Sequence, residues 1–429
     1  MTLARSYDIT MDTPVVVLAG GSGERLKPLT DERSKPSVPF GGAFRIIDFT
    51  LSNCLNSGLR MIYVLTQYKS MSLERHIQLG WHALFSPELR EWIYTVAPQL
   101  RLGQRWYEGT ADAVLQNLDL VMRENPRDVV IVSGDHVYKM NYRRMLDYHR
   151  DKRAVATVSA IEVPVAEAHA FGNLAVDDTF RVESFVEKPA APPSMPGRDG
   201  VALVNMGVYI FEASALAGAL KEDAHREGSR HDFGHDILPA LARLGEVYAY
   251  PFLDENRKES RYWRDIGTLD AYYEASMDLV AVNPVFNLYD TEWPLRTYAR
   301  QLPPAKLVFA QEEPGGRLGI ALDSLICGGV IISGGRVERS ILSPYARVNS
   351  YARVQDSVLM DGVDVGRGAR VRRAILDKGV RIASGCVIGE DPEADRTRFT
   401  VTPKGIVVIP KNAVVESAAQ PDPVVDRVT

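Results

Sequence analysis

The sequence has 429 residues, more than one ordinary hydrophobic core holds, so two or three domains are expected. Hydrophobic residues make up 45% and charged residues 24%, the balance of a soluble globular chain. Lys plus Arg total 50 against 55 Asp plus Glu, a formal charge of −5. That balance argues against a nucleic-acid partner while leaving room for a local basic pocket.

Met1 to Asp12 carries Arg5, Asp8 and Asp12 and has no apolar core of the secretory type. No run of about 18 apolar residues occurs, so no membrane association is expected. Cys54, Cys327 and Cys386 are far apart and odd in number, forming neither a zinc spacing nor a disulfide framework. A reducing, cytoplasmic setting is the expectation.

From Pro14 to about Tyr289, short apolar strands alternate with longer amphipathic segments. Val15-Val16-Val17-Leu18 is a β-branched run ending at Gly20-Gly21, and Met61 to Leu65 and Val129 to Val132 repeat the form. Strands apolar on both faces, separated by helices, predict a mostly parallel sheet covered on both sides. Ligands of such α/β sheets sit in the loops after the strand C-termini.

A proline-bearing segment from Asn283 to Lys306 reads as an ordered connector. The following hundred residues obey a different rule. Apolar residues pair six apart at Ile331/Val337, Val348/Val354, Val365/Val371 and Ile382/Ile388, each pair starting 17 residues after the last. Ile341, Val358 and Ile375 keep the same step, as do Ala346, Val363 and Val380. Three concurrent series predict a parallel β-helix with three sides per coil. The expected boundaries are an N-terminal extension over 1–13, the α/β domain over 14–289, a connector over 290–310, the β-helix over 311–410 and a tail over 411–429.

Three places in the first domain carry chemistry. Gly20-Gly21-Ser22-Gly23-Glu24-Arg25 follows a strand directly, where glycines let backbone N–H groups approach a polyphosphate. It is neither a Walker loop nor a full dinucleotide fingerprint, but Arg25 and Lys35-Pro36 add two cations that suit triphosphate oxygens. Gly134-Asp135-His136 places a carboxylate at the end of a buried strand, and Asp265 supplies a second in Tyr262-Trp263-Arg264-Asp265-Ile266-Gly267-Thr268. Two carboxylates with phosphates and water satisfy the all-oxygen demand of Mg²⁺. Phe185-Val186-Glu187-Lys188-Pro189 closes a strand with a Glu suited to sugar hydroxyls and a Lys suited to a phosphate; a solvated surface pair is its alternative. His231 and His235 are spaced like zinc ligands, but Asp232-Phe233-Gly234 between them lacks the metalloprotease Glu. The kinase reading of Asp-Phe-Gly fails as well, for want of a catalytic-loop triad.

Together these strings resemble the bacterial ADP-glucose pyrophosphorylase family. The most specific are Trp106-Tyr107-Glu108-Gly109-Thr110 through Ala113 and Tyr262 to Thr268, and the likeness runs in order from Pro14 to Val408. The resemblance implies a Rossmann-like nucleotidyltransferase domain, a left-handed β-helix, a homotetramer, and ATP and glucose 1-phosphate as substrates. It implies Asp135 and Asp265 as Mg²⁺ ligands, Arg25 and Lys35 on the ATP phosphates beside Gly20, Gly21 and Gly23, and Gln67, Tyr107, Gly109 and Thr110 around adenosine. Lys188 is implied for the sugar phosphate, with Gly172, Glu187, Asn205, Tyr209, Asp232, Phe233 and Trp263 around glucose. Asn205 departs from the family's usual Ser, so a sugar pocket similar to the family's but not identical is expected. Small anionic effectors are implied in an interdomain cleft, with Arg33, Arg45, Arg372 and Arg373 as their ligands. There Glu32 stands where family members that respond to fructose 1,6-bisphosphate carry a basic residue, so a smaller anion such as fructose 6-phosphate or pyruvate is expected instead. The alternatives are a uridylyl- or thymidylyltransferase, a β-helix acetyltransferase, disfavoured because no histidine follows His235, and a non-catalytic regulatory subunit.

Overall fold

In the computed structural model the described residues are 12–99, 106–256 and 261–416, so most of the expected N-terminal extension and of the tail lies outside them. The run Val15–Leu18 has no polar face to offer water and forms β1, at the centre of a nine-stranded sheet. The strands β2 (Met61–Leu65), β3 (Trp92–Val96) and β4 (Asp128–Ser133) run parallel with it in the order β3-β2-β1-β4. The sheet interior alternates cleanly. Val16, Tyr63 and Ile131 join one apolar cluster, while Val15, Val17, Ile62 and Val64 join the cluster on the opposite face. Each such buried side chain contributes about 1.5–3 kcal/mol, which is why no charged residue interrupts these runs.

Past β4 comes the short β5 (His136–Tyr138), then β6 (Ala156–Pro164), β7 (Gly172–Val176), β8 (Val182–Glu187), β9 (Val201–Glu212) and β10 (Val247–Pro251). β9 runs antiparallel to β4 and carries β6, β7 and β8 on the far side of the sheet; β10 lies parallel to β6. β11 (Trp263–Asp265) leaves the sheet and pairs antiparallel with β5.

The repeats of the C-terminal part build three sheets of stacked short strands, parallel apart from one terminal antiparallel pair. Val337, Val354, Val371 and Ile388 stack on one side, and Ile341, Val358, Ile375 and Val408 on another. The third side corrects the expected series at its start. Ile332, not Ile331, stacks on Val348, because the corner between Ile332 and Val337, which holds the left-handed Gly334 and the tightly packed Gly335, is one residue shorter than that between Val348 and Val354. The stack begins with Lys306–Val308, inside the expected connector, and ends with Val414–Val415, inside the expected tail.

The two parts share a core. Leu26, Phe40, Phe49 and Tyr272 cluster with Ile341, Val358 and Ile375 of the coils. Arg33 donates to both carboxylate oxygens of Asp377 at 2.9 Å, with both side chains nearly inaccessible. The segment after the α/β domain packs back on it. The indole N–H of Trp293 donates to Asn53 Oδ1 at 2.9 Å, and the buried Lys139 pairs with Asp290 at 3.0 Å.

Candidate active site

Two elements that are remote in sequence meet through the β5–β11 ribbon. Its register sets Asp265 opposite His136, the neighbour of Asp135, at the C-terminal end of β4. Lys35 Nζ, at the start of the buried turn Lys35–Ser37, donates to Asp135 Oδ2 at 2.7 Å and to Asp265 Oδ1 at 3.0 Å. Ser133 Oγ donates to the other oxygen of Asp135. Burial works against the charge on Asp135, yet the Lys35 ammonium and His136 beside it outweigh that and hold the carboxyl well below its ordinary value. Burial likewise opposes the Lys35 charge, and the two carboxylates more than offset it, raising the pKa.

One ligand atom each from Asp135, His136 and Asp265 lies within 4.8 Å of the others. The carboxylate pair already accommodates the cationic head of Lys35, and its oxygen chemistry suits a hard divalent cation. The residues present therefore fit a metal.

The glycine loop lies beside this cluster. Gly23 adopts φ +67°, a left-handed turn that starts Glu24–Leu26, and its carbonyl accepts from Thr30 Oγ1 at 2.8 Å. Gly21 has nothing within 4 Å of the position a Cβ would take, so its backbone faces open space. A cavity of about 290 Å³ is bounded by Gly21, Gly23, Arg25, Lys35, Asp135 and Gly267.

A second cavity, of about 360 Å³, opens on the other side of the loop and is lined by Gly20, Gln67, Tyr107, Gly109 and Thr110. Tyr107 is buried in the core: its hydroxyl accepts from Asn117 Nδ2, and its carbonyl accepts from Gln67 Nε2 at 3.4 Å. Thr110 Oγ1 donates to Asp232 Oδ2 at 2.9 Å and accepts from the Phe233 N–H at 3.0 Å. The two walls are thereby stitched together.

A third cavity, of about 240 Å³, adjoins the second through Leu18, Thr110, Ser133 and Asp232. All eight residues named for glucose 1-phosphate line it: Gly172, Glu187, Lys188, Asn205, Tyr209, Asp232, Phe233 and Trp263. Arg25 lines it as well and so faces both this cavity and the phosphate loop. The Asp232 carboxylate is largely spent on structure, since its other oxygen accepts from the Gly234 and His235 N–H groups. Asn205 bridges a bulge in β9, donating to the Tyr209 hydroxyl at 2.8 Å and accepting from the Gly207 N–H at 2.9 Å. Lys188 sits at the rim, mostly exposed, 3.4 Å from Glu187.

The four arginines expected for an effector do not converge. Arg45 lines an interdomain cleft of about 450 Å³ together with Arg75, Arg300 and Lys378. Arg33 stands near Arg45, but Asp377 consumes its guanidinium. Arg372 and Arg373 lie elsewhere on the coils, near Tyr273, where Arg373 donates to the Lys404 carbonyl. Glu32 does face the cleft, paired with Lys411.

Sequence reasoning gave no role to His136, Ser133, Gly207 or Gly267. A glycine inside a strand pattern is the one signal that pointed at Gly207, which takes φ +70° and brings backbone against the His136 ring. His231 and His235 join no metal-type cluster among the described residues.

Residues 14–281 match the family described as Nucleotidyl transferase, and residues 303–409 match the GlmU-like, C-terminal hexapeptide family, which fits a left-handed β-helix. The chain is 50% identical to a glucose-1-phosphate adenylyltransferase of Koribacter versatilis, over 94% of this chain and 96% of the relative. It is 50% identical to glucose-1-phosphate adenylyltransferase 2 of Vibrio cholerae, over 94% and 98%. Against the enzyme of that name from Rhodopirellula baltica the identity is 52%, over 94% and 91%. With likeness at this level along nearly its whole length, the chain belongs to the nucleotidyl transferase family and, within it, to the glucose-1-phosphate adenylyltransferases.

Proposed function

We propose that the protein joins ATP to α-D-glucose 1-phosphate, releasing diphosphate and ADP-glucose for α-glucan synthesis. One observation carries this reading: the Lys35–Asp135–Asp265 cluster stands between a glycine-loop cavity, a nucleotide-sized cavity and a sugar-sized cavity that share walls.

The chemistry needs no protein nucleophile. An already ionised phosphate oxygen of glucose 1-phosphate attacks the α-phosphorus of ATP in line. The bond from α-phosphorus to the bridging oxygen breaks, and its electron pair leaves with diphosphate. The site must align two anions that repel each other and offset charge on the departing group. Arg25 is placed to meet phosphates from both substrates, and Lys188 to hold the sugar phosphate at the rim. Gly21 and Gly23 admit the triphosphate to the backbone, while Gln67, Tyr107, Gly109 and Thr110 frame the adenosine. Nucleotidyltransferases of this kind generally use a divalent metal. We take it to be Mg²⁺ held by Asp135 and Asp265, where it supplies charge neutralisation on the triphosphate.

The same reading includes a homotetramer in the cytoplasm and control by small anionic metabolites in the interdomain cleft. Burial holds Arg45 below the usual arginine value; Asp48 and Asp361 offset part of this, while Arg33 and Arg300 add to it. The deciding measurement is diphosphate release across ATP, UTP and dTTP with several sugar 1-phosphates. ATP with glucose 1-phosphate should be the fastest pair; a preference for UTP or dTTP overturns the assignment.

A further inference from the structure

Lys35 occupies one oxygen of each carboxylate that would hold a divalent cation. Its Nζ is within hydrogen-bond reach of both Asp135 and Asp265, and its side chain is 11% exposed. The same pair of oxygens cannot serve an ammonium and a doubly charged ion together: the two cations would sit within a few ångströms in a poorly solvated space and repel. The base of the side chain is fixed, because residues 35–37 form a buried turn with Pro36 at its second position. The head has somewhere else to go. Lys35 also lines the cavity of about 290 Å³ beside Gly21, Gly23 and Arg25, where triphosphate oxygens would offer it new acceptors.

We propose that Lys35 is an exchangeable cation, neutralising the carboxylate pair until a nucleoside triphosphate draws its ammonium into the glycine-loop cavity and frees Asp135 and Asp265 for a divalent metal. This rests on the reading that those two carboxylates form the metal site. Two properties follow for the chain itself. Metal alone binds poorly, because it must displace a buried ion pair. Nucleotide and metal bind with strong mutual enhancement, because the triphosphate removes the competitor. The lysine also spares the protein two adjacent, half-buried carboxylates without a counter-charge when no substrate is present.

The test measures Mn²⁺ binding by electron paramagnetic resonance on the full chain, with and without α,β-methylene ATP, which cannot react. Lys35→Met keeps the length of the side chain and removes its charge; Lys35→Gln serves if the Met variant does not fold, as judged by circular dichroism. For wild type, the nucleotide analogue should tighten Mn²⁺ binding strongly. In the folded Lys35 variant, Mn²⁺ alone should bind at least ~10-fold more tightly than to wild type, the effect expected of removing one like charge at such range. Adding Asp265→Asn to that variant should abolish the gain. A folded Lys35 variant that binds Mn²⁺ no better than wild type overturns the exchange while leaving the metal site standing. Should Asp135→Asn and Asp265→Asn leave Mn²⁺ binding in the ternary complex unchanged, the metal-site reading itself falls, and the exchange with it.

Discussion

Asp135 and Asp265 each end or follow a strand, and either could pass as a turn residue if taken alone. What separates them from that role is their company: Lys35 on both, Ser133 on one, His136 between them. Asp135→Asn keeps the shape and removes the charge. It should lower kcat by ~10³-fold or more, roughly 4 kcal/mol of transition-state stabilisation, with an unchanged circular dichroism spectrum. Near-normal turnover would remove Asp135 from the mechanism. Lys188 poses the opposite question, since its rim position and its Glu187 neighbour also suit an ordinary surface pair. If it holds the sugar phosphate, steady-state kinetics of Lys188→Ala should show KM for glucose 1-phosphate raised ~10–100-fold, the worth of one charge-assisted bond. KM for ATP should barely move; equal losses for both substrates would point to structural damage instead.

The segment 107–110 and the segment 231–233 act as one unit. The Ala111 N–H donates to the His231 carbonyl at 2.8 Å, and a Cβ on Gly109 would lie 2.2 Å from that same oxygen. Backbone cannot yield by so much, so Gly109→Ala must push the two segments apart. Because Asp232 and Thr110 belong to both the nucleotide and the sugar cavities, that variant should raise KM for ATP and for glucose 1-phosphate together, unlike Lys188→Ala. A rise confined to one substrate would show that the walls move independently. This stitch was not legible in the sequence, because it runs through main-chain atoms that leave no periodic mark. The β5–β11 ribbon escaped for a related reason: strands three residues long carry too little alternation to be read. The coils, by contrast, write the same apolar choice at every turn, so the stacking of Val337, Val354 and Val371 is legible in the sequence. Only where Gly334-Gly335 shortens a turn did that reading slip by one residue. Glu187 and Lys188 were legible from their place at a strand end, whereas Gly172, Asn205, Tyr209, Asp232, Phe233 and Trp263 came only by likeness to a family, because they are scattered along the chain.

At the scale of the molecule, the two domains are joined by an apolar face and by buried charge. Arg33 and Asp377 satisfy each other almost without water, so removing one strands the other. Arg33→Ala should lower stability by ~3–5 kcal/mol in denaturant titration, the usual penalty for an orphaned buried charge, whereas an exposed pair would cost under about 1 kcal/mol. That pairing also takes Arg33 out of the proposed effector site, and the cleft is lined instead by Arg45, Arg75, Arg300 and Lys378. Not all of that charge is free: Asp361 accepts from both Arg300 and Lys378. Glu32 lies on the same cleft and occupies Lys411 from the coils, so it subtracts twice, as a carboxylate that repels an anion and as a partner that withholds a cation. A ligand with two phosphates at opposite ends needs basic groups on both walls, and the Glu32–Lys411 pair weakens one of them. Fructose 1,6-bisphosphate should therefore activate weakly or not at all, with a singly anionic metabolite such as pyruvate, or one with a single phosphate such as fructose 6-phosphate, acting better. Glu32→Gln is the sharper variant than Glu32→Lys, because a lysine there would face Lys411 and add repulsion of its own. An effector screen at sub-saturating substrate should find that Glu32→Gln gains sensitivity to the bisphosphate several-fold while its response to pyruvate stays put. Strong activation of the wild type by micromolar fructose 1,6-bisphosphate would show that the cleft reads its ligand through other groups than these.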